Sequence, residues 1–234
     1  MKMKSSDDWQ IPRIKEPVAL LVSILRPNFY SREMVKGMLS VVLACTNSDV
    51  PIHVLIGDTL QVHNLTSYSN NSFKVARKLS LERGQSLLQL FTEVSEELGE
   101  SVRGRIILHR WDEALSISSE FNSALVAQAK ENPQIWKQLE SFAINYAHRR
   151  VPAGRSIQSK HIEGSLNYMC EELFACVGEL ALKGTNQEII KFYKSFYFSF
   201  GGGHEPFFLF NLRQYFPSLN NGNTKEIYLM SVDA

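Results

Sequence analysis

The sequence predicts an α/β fold in which a single Rossmann-like domain has a mostly parallel central sheet flanked by helices. The first observation is an apolar run without a polar break at residues 18–22, which is typical of a strand buried on both faces of a parallel sheet. The second is that two further short apolar segments follow at residues 52–56 and 106–108, with helical patterns between them. Because parallel strands need crossover connections, which are usually helical, these observations agree on one fold.

Length, charge and cysteine content limit what the chain can be. Its 234 residues can bury one sizeable core, so we expect a mobile lead-in at residues 1–15 and a single domain at residues 16–234. The formal net charge is only +1, which gives no global sign of a nucleic-acid or membrane partner. The three cysteines lack a further Cys or His at metal spacing, which favours buried thiols in a reducing compartment and no metal. No run approaches the ~20 apolar residues of a membrane span and no signal-peptide core is seen, so we expect a cytoplasmic protein.

Two polar residues are predicted at the carboxyl edge of the sheet. Ser23 closes the first strand, and Asp58 follows the second strand in the turn Gly57-Asp58-Thr59. Ligands bind at this edge in open α/β folds, so Ser23 is a candidate nucleophile and Asp58 a candidate neighbour in the same site. The alternatives are that Ser23 merely ends a strand and that Asp58 is a turn residue or a helix N-cap.

Local signals give the remaining elements. Ser31 is a good N-cap for a helix that runs to about Cys45. The expected order is then a polar loop at 64–71, a long helix at 72–98, amphipathic helix at 111–150 broken near residues 132–133, a basic loop at 148–155, a helix at 161–182, a strand at 189–197, a glycine turn at 201–204 and a last strand at 227–232.

Charge is segregated along the predicted helix at 72–98, whose first half is basic and whose second half is acidic. Like charges at i, i+3 and i+4 repel each other, so they are not there for helix stability. The basic residues therefore suit contacts with a phosphate backbone, or else they form a solvated face. They are Lys74, Arg77, Lys78 and Arg83.

A second chemical cluster lies on the predicted helix at 161–182. Tyr168 and Glu172 are four residues apart, so they lie on one helical face about one turn from each other. A phenol and a carboxylate in this arrangement suit a substrate ammonium group. The alternative is an ordinary tyrosine packed beneath a surface glutamate.

Taken together and in this order, these residues resemble the cyclodipeptide synthases, enzymes that take two aminoacyl-tRNAs and release a diketopiperazine. The resemblance is carried by the strand ending in Ser23, by Asn28 and Tyr30-Ser31, by Asp58-Thr59, by the charged helix from Lys74, and by residues 166–173, Leu-Asn-Tyr-Met-Cys-Glu-Glu-Leu. Its most specific part is Leu166-Asn167-Tyr168 followed, after three residues, by Glu172.

The resemblance implies a domain similar to the catalytic domains of tyrosyl- and tryptophanyl-tRNA synthetases, but without their ATP-binding motifs. The sequence has no His-x-Gly-His or Lys-Met-Ser-Lys-Ser run, which agrees. The resemblance also implies aminoacyl-tRNA as the substrate, with the basic residues of the long helix as its contacts, and no cofactor or metal. We expect a monomer or weak dimer that does not associate with membranes.

Roles for single residues follow from the same resemblance. Ser23 would accept the first aminoacyl group as an ester. Tyr168 and Glu172 would bind and orient the amino group of that residue, and Glu172 would also relay its proton. The enzyme would therefore work by a ping-pong mechanism through an aminoacyl-serine intermediate.

Four further residues are assigned to the site through the resemblance. Tyr193 would assist proton transfer during cyclisation. Asn28 would correspond to a pocket asparagine found in one of the two subfamilies, and Asp58 and Asn167 would contact the substrate.

The sequence departs from the family pattern at several positions. Leu21 stands two residues before Ser23, where the family commonly has glycine, and Lys194 follows Tyr193 where the subfamilies have His or Pro. An ungapped alignment would also place Ile24, instead of Ser23, at the position of the nucleophile.

Two other functions remain open on the sequence. One is a binding protein, either a degenerate synthase that still holds tRNA or an α/β protein that recognises a nucleotide. The other is a synthetase-related or hydrolytic enzyme in which Ser23 works with a histidine. No motif chooses among the candidate histidines, which are His53, His63, His109 and His204.

Overall fold

The computed structural model describes residues 13–176, 180–192, 197–200 and 228–230. Its strands are β1 (Val18–Ser23), β2 (Ile52–Gly57), β3 (Ile106–Arg110), β4 (Leu180–Lys183), β5 (Ile189–Phe192), β6 (Tyr197–Phe200) and β7 (Tyr228–Met230). Five of them form a parallel sheet in the order β3-β2-β1-β6-β7, whereas β4 and β5 form a separate antiparallel pair. The predicted α/β fold with a mostly parallel sheet is confirmed, and its first strand is the central one.

The helices of the described residues are α1 (Arg32–Cys45), α2 (Val62–Ser69), α3 (Phe73–Glu97), α4 (Glu100–Arg103), α5 (Trp111–Glu131), α6 (Pro133–Arg150) and α7 (Ser159–Cys176). Side-chain caps explain several of the boundaries. Ser31 caps α1 and Ser72 caps α3, each by accepting a hydrogen bond from the third backbone N–H that follows. Asn132 caps α6, and Pro133 occupies its first turn, which is why the long amphipathic segment is split there.

Two apolar cores lie on the opposite faces of the sheet, because successive side chains of a strand point in opposite directions. On one face, Val18, Leu20 and Val22 of β1 pack with α1 and α3. On the other face, Ala19 of β1 and Leu55 of β2 pack with α5, α6, α7, β4 and β5. By the same alternation, Ser23 at the end of β1 lies on the α7 side of the sheet.

The predicted polar loop at 64–71 is wrong, since most of it is helix α2. Two of its polar side chains contact α7: Ser67 is only 7% exposed, and the Tyr68 hydroxyl lies 2.6 Å from Oγ of Ser165. Gly164 of α7 leaves no room for a β-carbon beside Ser67, so the two helices meet at very close range. Asn70 ends α2 in the left-handed region at φ 53°, a conformation that Asn tolerates.

Two further boundaries differ from the prediction. The helix predicted at 161–182 ends at Cys176, and Leu180–Lys183 is strand β4, because its apolar side chains are buried in a pairing with β5. Short apolar runs do not distinguish a buried helix end from a strand. The basic loop predicted at 148–155 begins only after Arg150, since the three residues before it complete α6.

The carboxyl-terminal predictions are described in part. The predicted strand at 189–197 contains β5, and residues 193–196 lie outside the described residues, as does the glycine turn at 201–204. The last predicted strand, at 227–232, contains β7. Among the helices that the structure describes, none is long and apolar enough to cross a membrane.

Candidate active site

Ser23 lies at the carboxyl edge of the sheet, as predicted. It is the last residue of β1 and is paired in register with Gly57, the last residue of β2. Its Oγ accepts hydrogen bonds from the backbone N–H of Leu25 at 3.3 Å and from Nε2 of Gln61 at 3.2 Å. Two N–H donors therefore fix the position of this hydroxyl oxygen.

Gln61 joins the sheet edge to helix α7. It ends the short 3₁₀ turn Thr59–Gln61 that follows β2, and it is only 3% exposed. Its Nε2 also donates to the hydroxyl of Tyr168 at 3.4 Å, and that hydroxyl donates to Oε1 of Glu172 at 3.5 Å. One hydrogen-bonded chain thus runs from Ser23 through Gln61 and Tyr168 to Glu172.

Contacts from two elements, α5 and α2, hold α7 in place. Next to Glu172, the carboxylate of Glu171 accepts a hydrogen bond from Nε1 of Trp111 at 2.8 Å and lies 2.8 Å from Nε2 of His63. Asn122 of α5 bonds two backbone groups of α7, the carbonyl of Cys170 and the N–H of Phe174. Helix α7 is therefore fixed to both α5 and the segment after β2.

The ring of Tyr146 packs against the ring of Tyr168. The rings of Tyr146 and Tyr168 are stacked with centroids 6.4 Å apart, and the guanidinium of Arg150 lies 5.0 Å from the centroid of Tyr146. This stack packs one face of the Tyr168 ring against Tyr146, in one of the arrangements that aromatic pairs prefer.

Asp58 is the neighbour of Ser23 at the sheet edge, and its side chain is bonded to groups of the protein itself. It is fully buried, and its oxygens accept hydrogen bonds from the N–H groups of Thr59 and Trp111 and from Nη1 of Arg110 at 2.7 Å. Burial raises the pKa of this carboxyl, while the bonds from Thr59 and Arg110 act in the opposite direction. Groups of the protein itself satisfy this carboxylate, which gives Asp58 a structural role. The substrate contact proposed for it stays a prediction. Its bond to Thr59 confirms the N-cap alternative.

Of the other predicted pocket residues, Asn28 and Asn167 lie in the described part of the chain and are not members of the hydrogen-bonded chain. Asn28 lies in the 3₁₀ turn Pro27–Tyr30 and is exposed, and Asn167 is exposed on α7. Tyr193 lies outside the described residues. Ile24, the residue that an ungapped alignment places at the nucleophile position, is buried in the core on the α1 side of the sheet. The role of Ser23 as nucleophile stays a prediction.

Three of the four basic residues predicted on α3 share one surface. Lys74, Arg77 and Lys78 line a shallow groove of about 450 Å³, which we call the basic groove. Its other lining residues are Phe73, Leu81 and Glu82. Arg83 does not line the groove and interacts with Tyr30: burial raises the pKa of that phenol, and the Arg83 charge acts against this effect.

Two of the groove cations have acidic neighbours. Arg77 pairs with Asp112 at 3.3 Å, and Lys78 lies 3.8 Å from Glu82. Asp112 also accepts a hydrogen bond from the hydroxyl of Thr59. The basic groove is thus linked through Asp112 to the turn that carries Gln61.

Three of the candidate histidines lie in the described part of the chain, and none of these three is hydrogen-bonded to Ser23 there. His53 and His109 form a buried pair with 2.9 Å between Nδ1 and Nε2, and His109 contacts Glu113 at 3.3 Å. Burial and the neighbouring His109 lower the pKa of His53 to about 3. His63 pairs with Glu171, and His204 is outside the described residues. Among described residues, no group of three or more His, Cys, Asp or Glu side chains could hold a metal ion.

Gln61 is the residue that sequence reasoning missed. A single glutamine after a strand carries no motif, and glutamine is common on surfaces. The available signal is its position, since it lies three residues after Asp58 at the same sheet edge as Ser23.

No protein-family model matches the chain, and no curated protein sequence matches it either. Solved structures do match over nearly the whole chain. A cyclodipeptide synthase from Fluoribacter dumoffii is 13% identical with a TM-score of 0.68, and the match covers 92% of this chain and 89% of that one. A cyclodipeptide synthase from Streptomyces noursei is 15% identical with a TM-score of 0.65, covering 94% of this chain and 96% of that one.

A third match connects the fold to tRNA synthetases. It is a Mycobacterium tuberculosis protein whose structure was described as demonstrating that cyclodipeptide synthetases are related to type I tRNA synthetases. It is 12% identical with a TM-score of 0.60, and the match covers 93% of this chain and 84% of that one. The chain therefore has the Rossmann-like fold of the cyclodipeptide synthases, and the resemblance seen in its residues extends to its tertiary structure.

Proposed function

We propose that this protein is a tRNA-dependent aminoacyltransferase, a cyclodipeptide synthase that joins two aminoacyl groups into a diketopiperazine. The observation that carries the proposal is the hydrogen-bonded chain from Ser23 through Gln61 and Tyr168 to Glu172. In this chain a serine hydroxyl and a phenol–carboxylate pair lie close together at the edge of the sheet where ligands bind in open α/β folds, which supports the proposal.

The first half-reaction uses Ser23. An aminoacyl ester on tRNA is already activated, so its transfer to a serine requires positioning and proton movement but no nucleotide. The Oγ of Ser23 attacks the ester carbonyl, the bond to the tRNA ribose oxygen breaks, and the serine proton ends on that oxygen. Tyr168 and Glu172 hold the ammonium group of the transferred residue.

The second half-reaction forms two amide bonds. The amino group at Tyr168 and Glu172 loses its proton, with Glu172 as the relay, and attacks the ester of a second aminoacyl-tRNA. That tRNA leaves, and the free amine of the second residue then attacks the ester on Ser23. Ring closure breaks the ester bond and returns the hydroxyl of Ser23. The family resemblance assigns a proton transfer in this step to Tyr193.

We assign the tRNA contact to the basic groove. Its three cations are exposed and outnumber the one acidic residue that lines the groove, Glu82. An excess of positive charge on an otherwise near-neutral chain suits the phosphate backbone. Phe73, at the start of the groove, is 63% exposed. An exposed aromatic ring beside basic side chains is typical of nucleic-acid surfaces.

The proposal is tested by labelling Ser23. The purified protein is incubated with tRNA carrying radiolabelled aminoacyl groups, the acyl-enzyme is trapped by acid, and the modified residue is located by mass spectrometry. We expect label on Ser23, loss of label and of cyclic product in Ser23→Ala, and no loss in the control Ser119→Ala, which changes an exposed serine of α5.

The same experiment separates the alternatives. Label that persists in Ser23→Ala would identify another nucleophile. A wild-type protein that binds aminoacyl-tRNA without forming acyl-enzyme or product would be the degenerate binding protein. Release of free amino acid would indicate the hydrolase, for which the structure offers no Ser23–histidine hydrogen bond among the described residues.

A further inference from the structure

The side-chain amide of Gln61 is buried, and both its nitrogen and its oxygen have hydrogen-bond partners. Burying an amide is unfavourable unless its donors and acceptor have partners. Nε2 of Gln61 donates to Ser23 and to Tyr168, and Oε1 accepts a hydrogen bond from Nδ2 of Asn64 at 2.7 Å. The mechanism described above needs a nucleophile and an ammonium site, but it assigns no role to this amide or to Asn64.

We propose that Gln61 is a catalytic hydrogen-bond donor to Oγ of Ser23, and that Asn64 is the positioning residue that sets the direction of the Gln61 amide. The inference rests on the proposed function, since it concerns the same serine. It adds two residues to that site, neither of which the sequence pattern or the family resemblance singled out.

The hydrogen-bond partners of the Gln61 amide determine whether its nitrogen or its oxygen faces Ser23 and Tyr168. The single proton of the Tyr168 hydroxyl is donated to Glu172, so Tyr168 can only accept from Gln61. An N–H group must therefore face Tyr168, and the carbonyl must face away. Asn64 supplies the matching donor on that far side, and its own Oδ1 is buried without a hydrogen-bond partner in the described residues. Asn64 thus leaves its own acceptor unsatisfied while holding the Gln61 carbonyl.

The donated N–H matters at the steps in which charge develops on Oγ. Negative charge builds on this oxygen when it loses its proton during attack, and again when the ester bond breaks at ring closure. A fixed N–H donor stabilises that charge without reorganisation, as the donors of an oxyanion hole do. The N–H of Leu25 is the second donor to the same atom.

The test measures how fast Ser23 is acylated in a single turnover with excess enzyme. In Gln61→Met, which keeps the length of the side chain without a donor, we expect acylation to slow by about 100-fold, in the range found for loss of one such donor. The apparent affinity for aminoacyl-tRNA should stay the same, because the basic groove lies on α3. The rate profile should also shift to higher pH, since a serine oxygen with one donor fewer is harder to deprotonate.

Asn64→Asp tests the direction of the amide. An aspartate at position 64 accepts instead of donating, so the Gln61 amide turns over and presents its carbonyl to Ser23. We expect a loss of acylation rate comparable to that of Gln61→Met, although the described hydrogen bond of the Asn64 side chain is to Gln61 and not to Ser23 or Tyr168. The matched control Asn186→Asp makes the same change at an exposed turn between β4 and β5 and should acylate at the wild-type rate.

Two measurements distinguish failure of this inference from failure of the proposed function. Thermal unfolding shows whether each variant is folded, and the labelling experiment shows whether Ser23 of the wild type is acylated. A wild type labelled on Ser23 together with folded variants that acylate at the wild-type rate would overturn the inference and leave the function standing. A loss confined to the affinity for aminoacyl-tRNA, with no change in rate or pH profile, would also overturn it. A wild type that is never labelled on Ser23 would overturn both.

Discussion

Gly84 of α3 lies directly against the side chain of Asp58, so that a β-carbon at position 84 would stand 2.5 Å from Oδ2 and 2.7 Å from Cβ of Asp58. Asp58 is fully buried and held by Arg110, Thr59 and Trp111, so it has no room to withdraw. Helix α3, which carries the basic groove, therefore packs directly against the sheet edge that carries Ser23. This close packing is possible because residue 84 has no side chain.

We expect Gly84→Ala to destabilise the protein by about 1–3 kcal/mol, the range typical of overpacking a buried site. Alanine ordinarily stabilises a helix relative to glycine. A destabilising effect of Gly84→Ala would therefore indicate overpacking and not helix propensity. Chemical denaturation gives the free energy of unfolding. The control is Gly104→Ala, where the nearest atom to a new β-carbon is 3.6 Å away and the backbone is helical. Equal stability of Gly84→Ala and the wild type would contradict the close contact.

Glu172→Gln removes the charge that we propose binds the substrate ammonium, while keeping a hydrogen-bond partner for the hydroxyl of Tyr168. We expect kcat/KM for cyclic product to fall by a factor of about 100 or more, which corresponds to about 3 kcal/mol of transition-state stabilisation. Steady-state product formation measured by mass spectrometry checks this. The matched control is Glu163→Gln on the same helix, where the glutamate is exposed. Output that stays within a factor of about two would make Glu172 an ordinary surface residue.

The basic groove predicts a salt-dependent affinity for tRNA. Each lost phosphate contact should reduce the slope of log K against log salt by about 1, because fewer counterions are released on binding. We therefore expect Lys74→Ala/Lys78→Ala to raise the apparent KM for aminoacyl-tRNA and to flatten this slope. The amino-acid preference should not change, since the site lies at the sheet edge. This pair leaves the bond between Arg77 and Asp112 in place.

The control for this pair removes the same charge elsewhere. Lys36→Ala/Lys137→Ala changes exposed lysines of α1 and α6. Titrations of aminoacyl-tRNA binding at several salt concentrations should give the wild-type slope for this control. If both double variants have the same slope, the groove residues form only a solvated face.

The buried pair of His53 and His109 predicts a loss of stability in mild acid. Burial, and then the neighbouring His109, lower the pKa of His53 from 6.5 to about 3, so the unfolded chain binds the proton more readily. The stability contributed by the neutral ring is complete above pH 6.5 and is lost as the pH falls towards 3. Between pH 7 and pH 5 the loss should be about 2 kcal/mol.

The variant His53→Phe tests this origin of acid sensitivity. Its ring keeps a flat partner for Phe192 and His109 but has no titrating nitrogen. We expect the difference in unfolding free energy between pH 7 and pH 5 to shrink by about 2 kcal/mol in this variant. A pH dependence equal to that of the wild type would assign the acid sensitivity to other groups.

The sequence alone predicted the features that depend on local patterns. Three short apolar segments indicated the parallel strands, Ser31 indicated the start of a helix, and the four-residue spacing of Tyr168 and Glu172 placed both on one helical face. These predictions succeed because strand burial, capping and helical periodicity are read over a few neighbouring residues.

Tertiary structure decided which of those residues meet. Nothing local marks Gln61 as the link between Ser23 and Tyr168, since that contact joins residues 38 and 107 positions away from it. Nothing local shows that Asp58 is fully enclosed, because its burial depends on Gly84 in another helix. The sequence determines the chemistry of each side chain. Whether a polar group faces a ligand or another part of the protein depends on which residues pack against it in the tertiary structure.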